Sequence, residues 1–496
     1  MKKKILFFYN SDISKFGVSK KIQEKYDADY YGLIDITDKP KSFFETQKIV
    51  KFEKIWFYHD HIHSNKKFDE DFLKEFEQKY SLNLWNLIYS ERIFHNFNEF
   101  YNFRRDELLS ILYSECVFFE ELLNNIEPDL IIMPAPIFHH EFLLYNMCKK
   151  RSITTLILRA TRFGNKSMIT EHYELIDHKD HKSPTKRTLN ELIEYKKKFS
   201  VYNTGTKFRK TFLKSRSKLM NAGFEYLFQN NNSNMKSHYT YYGRNKFKVL
   251  LNFITGKFRI YFRKKFIDNN LNQNPSFKEN FIYFPLHIEQ EVSLLNYAPY
   301  YLDQINVIKN IAKSLPINFQ LFVKEHPSQK FRSWRKISIY KELLELQNVT
   351  LLHPSVNPEE LLKNCKMVIS ISGTAAFESS FFNKPSIIFS DVIFSSLSWI
   401  TRLNSFEDLH EKIQSSLNMK INTDELNNYV DYITQNSFDY DNDNFSVGSQ
   451  EFFHHGGFLI DTHITEDQMK KFIEKYDDVL NKIAENYLIK IEKTIK

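Results

Sequence analysis

The chain is poor in cysteine, in glycine and in long apolar runs. Three cysteines, Cys116, Cys148 and Cys365, are spread over 496 residues without metal-ligand spacing. So sparse and odd a set excludes a disulfide framework and fits a reducing compartment. Glycine numbers only 11, while Phe (47) and Tyr (28) abound; that bias fits an AT-rich genome and carries no function by itself. No stretch of about 18 apolar residues exists, so no membrane span is expected. The start, Met1-Lys2-Lys3-Lys4, is followed by only five apolar residues before Asn10, too few for a secretory signal. A cytoplasmic protein is expected, peripheral on the inner face of the membrane. No Asp-x-Asp follows a predicted strand; Asp441-Asn442-Asp443 lies in a loop near the end.

The charge that is present is unevenly placed. The net charge is +8, yet residues 207–265 hold 15 Lys and Arg against one acid, Glu225. That segment is therefore +14, and the rest of the chain is −6. Aromatic residues interleave with its charges, from Phe208 and Phe212 to Tyr261 and Phe262. Basic residues with interfacial aromatics suit an anionic membrane surface. No RNP, zinc-finger or helix-turn-helix pattern accompanies them, so nucleic acid is not expected as a partner.

Length calls for two or three domains. Apolar runs at Lys4–Tyr9, Ile55–Tyr58, Leu130–Met133 and Thr154–Leu158 alternate with helical patterns at Arg105–Asn125 and Glu141–Lys150. Such alternation predicts a parallel sheet with crossover helices over 1–190. Residues 191–280 read as a basic, aromatic, helical insertion ending in a polar linker, with a polar break at Gln229–Asn234. A second α/β domain is predicted over 281–425, with strands at Phe281–Phe284, Phe319–Val323, Val349–Leu352, Met367–Ile371 and Ser386–Phe389. Its predicted helices include Tyr301–Ser314, Tyr340–Gln347, Asn357–Asn364 and Ala375–Phe382. A helical tail fills 426–496. Two Rossmann-type domains with a terminal helical stretch describe a GT-B-like α/β architecture.

Two motifs stand at strand ends in the second domain. Lys324-Glu325-His326-Pro327 closes one strand, because Pro327 biases His326 away from helix. His326 and Lys324 could there pair with a phosphate. Ser372-Gly373-Thr374 closes another strand and opens a helix; it offers hydroxyls, a Gly that lets backbone approach a ligand, and free helix-start N–H groups. Glu378, one turn beyond Thr374, is placed to accept ribose hydroxyls. The bland reading of each is a capped turn; their pairing in one domain favours a nucleotide-sugar donor site. The loop Pro285–Glu291 follows a third strand and carries His287 toward the same crevice.

In the first domain, His59-Asp60-His61-Ile62-His63 and Pro134–Glu141, with His139 and His140, follow strand ends. Neither holds a His-Glu-x-x-His arrangement, and His59, His61 and His63 alternate as strand residues would. No metal and no other cofactor is therefore expected. A general base that accepts the proton of an attacking hydroxyl is the better reading; Asp60 and Glu141 are candidates by position, and His287 is the third catalytic candidate.

The run Phe284-Pro285-Leu286-His287, Asp303-Gln304, Val323-Lys324-Glu325-His326-Pro327, Ser372-Gly373-Thr374-Ala375-Ala376-Phe377-Glu378 and Lys384-Pro385 resembles the bacterial capsule and surface polysaccharide biosynthesis family, over roughly Phe281–Asp391. That family includes transferases of Kdo (3-deoxy-manno-oct-2-ulosonic acid) from CMP-Kdo. The resemblance implies a GT-B glycosyltransferase with His326 on the donor phosphate or cytidine, Ser372, Gly373 and Thr374 on phosphate, and Glu378 on ribose. A glycan or glycolipid is the implied acceptor. The rival expectations are a UDP-sugar 2-epimerase or polyol-phosphate transferase on the same fold, and a non-catalytic scaffold of polysaccharide assembly.

Overall fold

The computed structural model describes residues 2–95, 97–176, 181–199, 216–229 and 233–494. Parts of the basic segment, Phe208 and Phe212 included, and Asn230–Asn232 of the predicted polar break lie outside the described residues. The chain forms two compact units. One gathers Met1–Tyr173, Ser200–Val249 and Asn436–Lys496; the other gathers Glu174–Phe199 and Leu250–Gln435.

The first unit begins with strands β1 (Lys3–Tyr9), β2 (Ala28–Ile34), β3 (Lys54–Phe57), β4 (Leu130–Pro134), β5 (Thr154–Ala160) and β6 (Lys166–Thr170). The second contains β7 (Asn280–Pro285), β8 (Phe319–Lys324), β9 (Val349–Leu352), β10 (Met367–Ser370), β11 (Ser386–Ile388) and β12 (Ile400–Arg402). The chain then returns to the first sheet with β13 (Phe438–Asp439).

The first sheet has the order β13-β6-β5-β4-β1-β2-β3. Its five-strand body, β5-β4-β1-β2-β3, is parallel; β6 and β13 add on antiparallel. The second sheet, β12-β11-β10-β7-β8-β9, is parallel throughout. Each follows the Rossmann strand order, running outward from its first strand in both directions. The expected α/β, GT-B-like pair of Rossmann-type units is therefore what the chain forms.

Apolar runs explain the central strands. Ile5 to Tyr9 are all buried, as a parallel strand covered by helices on both faces requires. Their core includes Phe16, Ile22, Leu130 and Leu156 and, from the far end of the chain, Leu480 and Tyr487. A Cβ on Gly17 would stand 2.7 Å from Leu480, so that glycine permits the terminal helix, Asp477–Thr494, to close on the helix Phe16–Gln23. In the second unit Ile282, Phe284, Val323, Ile369 and Ile387 share a core with Ile308 and Ile311 of the helix Gln304–Ser314.

The compact units divide the chain differently from the boundaries 1–190, 191–280, 281–425 and 426–496. From Asn436 on, the tail belongs to the first unit, because β13 pairs with β6 and the terminal helix fills that core. Several elements also differ locally. Tyr58–His61 is one helical turn, so His59, His61 and His63 do not alternate along a strand. The helix expected at Tyr301 starts at Gln304, where the Asp303 carboxylate accepts the Ile305 and Asn306 N–H groups. The helix expected over Ala375–Phe382 is one α-turn, Ala375–Glu378, tightening into a 3-10 turn over Ser379–Phe382.

Candidate functional site

Strand order locates the crevice of the second unit. The chain reverses direction across the sheet between β7 and β10, and ligands of such sheets bind outside the carboxyl ends at that switch point. His287, just beyond β7, bridges it. The His287 Nε2 accepts the Ser372 N–H at 3.3 Å and lies 3.4 Å from the Ser372 Oγ. That oxygen also donates to the Ser293 carbonyl at 2.6 Å. Gly373 is required beside it, since a Cβ there would lie 2.7 Å from Ser370 Oγ and 3.2 Å from His287 Nε2. The Gly373 N–H donates to Ser370 Oγ at 3.0 Å.

His287 is thus a brace. It is buried, and burial, with His326 and Arg335 nearby, pushes its pKa down to about 3. A neutral ring that accepts at Nε2 carries its proton on Nδ1, and that buried atom has no hydrogen-bond partner. Gln304 fixes the same residue's backbone: its Oε1 accepts the His287 N–H at 2.8 Å, and its Nε2 donates to the carbonyl at 3.1 Å. The Ser372 and Gly373 amides, expected to meet phosphate, are already taken up by His287 and Ser370.

Glu325 and Arg335 form the second brace. Glu325 is fully buried, and its carboxylate accepts Arg335 Nε at 2.8 Å, Tyr340 Oη at 2.7 Å and the His326 N–H at 2.6 Å. Arg335 also donates to the His287 carbonyl and pairs with Glu289 at 3.2 Å. One guanidinium therefore ties the ends of β7 and β8 together. Glu325 is committed to this pair, which displaces the expectation that it meets the donor.

The other motif residues lie around these braces. His326 is half-buried, with Nδ1 accepting the Ser328 N–H at 3.1 Å, which leaves the proton on Nε2. Pro327 opens the 3-10 turn that follows. Lys324 donates to the Pro354 carbonyl at 3.2 Å, and burial lowers its pKa to about 8, with Glu325 opposing. Thr374 sits at the N-cap without a capping side-chain bond. Glu378 is half-buried and attracts Lys196, whose ammonium lies 4.6 Å over the Phe381 ring. The structure thus brings His287, His326, Ser372 and Gly373 to one strand-end cluster.

Asp60 and Glu141 belong to the first unit. Asp60 is exposed, pairs with Lys41 at 2.7 Å and lines a cavity of about 600 Å³ with His59, His63, Lys66 and Lys236. Glu141 is fully buried. It accepts the Ile137 and Phe138 N–H groups at 2.5 and 3.2 Å and Asn10 Nδ2 at 3.1 Å. It caps the helix His139–Lys150 and ties β4 to β1 at that sheet's own switch point. Burial raises its pKa, against the pull of His140. A fully enclosed cap has no open face for a substrate proton.

Sequence reasoning passed over Arg335, which carries no local signal, and Asp35, Glu91 and Glu115 of the first unit. Glu115 had one: a carboxylate on the apolar stripe of a helix, between Ile111, Leu112 and Phe119, all buried.

Residues 179–432 match the family model described as capsule polysaccharide biosynthesis protein. No curated protein sequence matches the chain. Among solved structures, the beta Kdo 2,7 transferase of Thermosulfurimonas dismutans KpsC is 13% identical, with a TM-score of 0.30, covering 63% of this chain and 78% of that one. The UDP-GlcNAc 2-epimerase of Methanocaldococcus jannaschii is 12% identical, with a TM-score of 0.25, covering 88% of this chain and all (100%) of that one. Likenesses this weak bear no weight on function. The family match spans both strand-end motifs, His287 and Arg335, and takes in just over half of the 496 residues, so the chain belongs to the capsule polysaccharide biosynthesis family.

Proposed function

We propose that the chain is a glycosyltransferase that moves a sugar from a nucleotide donor onto a capsule or surface glycan or a glycolipid, with the donor bound in the second unit. The observation that carries this reading is the His287–Ser372 contact that joins the ends of β7 and β10, with His326, beyond the neighbouring strand β8, close to His287. In this reading His326 Nε2–H, the Lys324 ammonium and the Thr374 hydroxyl meet the donor phosphate. They offset the negative charge that grows on it as the glycosidic bond breaks. Glu378 accepts the ribose hydroxyls. The braces hold these groups still, so little reorganisation accompanies the reaction. No cofactor or metal is assigned to the donor half. The resemblance of the motifs to CMP-Kdo users favours a CMP-linked acidic sugar.

The acceptor half is placed in the first unit's cavity, where Lys66 and Lys236 suit an anionic glycan. A membrane surface is the proposed setting, with the chain on its cytoplasmic face. The helix Lys246–Asn270 exposes Phe247, Phe258, Tyr261 and Phe262 among Lys and Arg, the composition of an interfacial helix. No helix among the described residues is long and apolar enough to cross a membrane.

Thermal-shift titration with CMP, CDP, UMP, UDP, GDP and ADP tests the donor. A ligand of the folded form raises the melting temperature by mass action. Stabilisation by CMP alone supports the CMP-sugar reading, UDP would point to another sugar or to epimerase chemistry, and silence to all six would favour a scaffold. His326→Ala is expected to lower donor turnover by roughly 10²-fold or more while melting is retained, the usual cost of one transition-state donor. Unchanged turnover would remove His326 from the site.

A further inference from the structure

The carboxyl ends of β2, β3 and β4 in the first unit enclose a polar cluster that the donor reading does not use. Asp35 lies between two imidazoles, 3.0 Å from His59 Nε2 and 3.0 Å from His140 Nε2. His139 lies between two carboxylates, with Nδ1 3.1 Å from Glu91 and Nε2 2.9 Å from Glu115. Tyr58 donates to the same Glu115 oxygen, Oε1, and its hydroxyl lies 2.9 Å from that of Tyr239. Glu115, His139 and His140 are 0%, 1% and 3% exposed.

As an internal ion-pair network this cluster is incomplete. Glu115 Oε2 and His140 Nδ1 are buried and have no hydrogen-bond partner. A buried carboxylate oxygen and a buried ring nitrogen without partners call for an ion or a water. One potential ligand atom from each of Glu115, His139 and His140 lies within 4.8 Å of the others. The far nitrogen of each imidazole is already held by a carboxylate, Glu91 for His139 and Asp35 for His140. Carboxylate-bound imidazole is how metal-ligating histidines are fixed in tautomer and direction.

We propose that Glu115, His139 and His140 bind a divalent transition-metal ion of the zinc class, with Glu91 and Asp35 orienting the two imidazoles. Two nitrogens and one carboxylate oxygen suit that class, and three protein ligands leave one tetrahedral position for a small oxygen ligand. The ion takes the place of the proton between His139 and Glu115 and takes up His140 Nδ1, the ring nitrogen left without a partner. This assignment revises the expectation that the histidine clusters hold no metal, and it stands whether or not the donor reading holds.

The test is metal content and affinity of the full chain. Chelator-treated protein is loaded with Zn²⁺ or Co²⁺, passed over a desalting column and analysed by mass spectrometry for metal. Stoichiometric retention is expected, lost in Glu115→Gln and His140→Ala and kept in His410→Ala, which removes an exposed imidazole of the other unit. Asp35→Asn and Glu91→Gln should weaken binding about 10–100-fold. If the ligand variants fail to fold, the Co²⁺ spectrum of the wild-type protein decides. Intense visible absorption of a four- or five-coordinate site supports the proposal; a weak octahedral spectrum overturns it. Absence of retained metal, or retention unaffected in folded Glu115→Gln and His140→Ala proteins, also overturns it.

Discussion

Both units bridge their switch point with side chains, yet they do it with different chemistry. In the second unit a neutral His287 joins β7 to the turn after β10, and a permanently charged guanidinium, Arg335, backs it. In the first, Asn10 and Glu141 make the bridge, and imidazoles paired with carboxylates surround it. The second edge is held by groups whose charge does not change near neutrality. The first is held by carboxylates and imidazoles, groups able to bind a proton or a metal ion. One reads as a rigid frame for a ligand bound by neighbouring residues; the other is itself built of ligand atoms. The family match covers the frame and leaves out Asp35, Glu91, Glu115, His139 and His140.

Breaking the frame should have the largest effect. Arg335→Ala leaves Glu325 buried without its counter-ion, a change that costs about 3–5 kcal/mol. In calorimetry the transition of the second unit should fall while that of the first stays; equal movement of both would refute separate bracing. Gly373→Ala is expected to cost about 1–3 kcal/mol, since the new Cβ meets Ser370 Oγ and the His287 ring in a packed turn. Urea denaturation reads it, and a neutral result would show that the turn relaxes.

A smaller effect follows from Lys324. Its pKa, lowered to about 8 by burial, keeps the amine charged below that pH and neutral above it. If it pairs with donor phosphate, donor KM rises with pH above about 8, by at most about tenfold per pH unit. Lys324→Arg should remove the rise, because arginine stays charged. A flat KM profile in the wild-type protein would take Lys324 out of the donor site. Smallest is Asp60→Asn. Its pair with Lys41 is exposed, so stability should change by only about 0–1 kcal/mol. A large loss of turnover in that variant, with melting unchanged, would identify Asp60 as the base.

The strands that carry the frame were largely legible in the sequence, because buried parallel strands are continuous apolar runs and their ends are marked by Pro327 and Gly373; the braces themselves were not, since Arg335 meets Glu325 only in the fold. Strand β2 was not, since Asp29, Tyr30, Tyr31 and Gly32 break the run before Leu33. The turn at Tyr58–His61 imitated a strand because its histidines alternate. Asp303 caps its helix so that it starts three residues later than periodicity suggested. The histidine–carboxylate cluster was legible only in part. His139 and His140 stood out, but their partners come from positions 24 to 105 residues away, and only folding brings them together.

The first unit's dependence on both ends of the chain has a consequence for its biosynthesis. A ribosome delivers β1 well before the helix Asp477–Thr494. The face of the helix Phe16–Gln23 that Leu480 covers through Gly17 therefore stays open until that later helix emerges. The second unit's strands have all emerged by then. The unit begun before the other is thus completed after it, and an apolar surface left open through such an interval is the kind that chaperones bind.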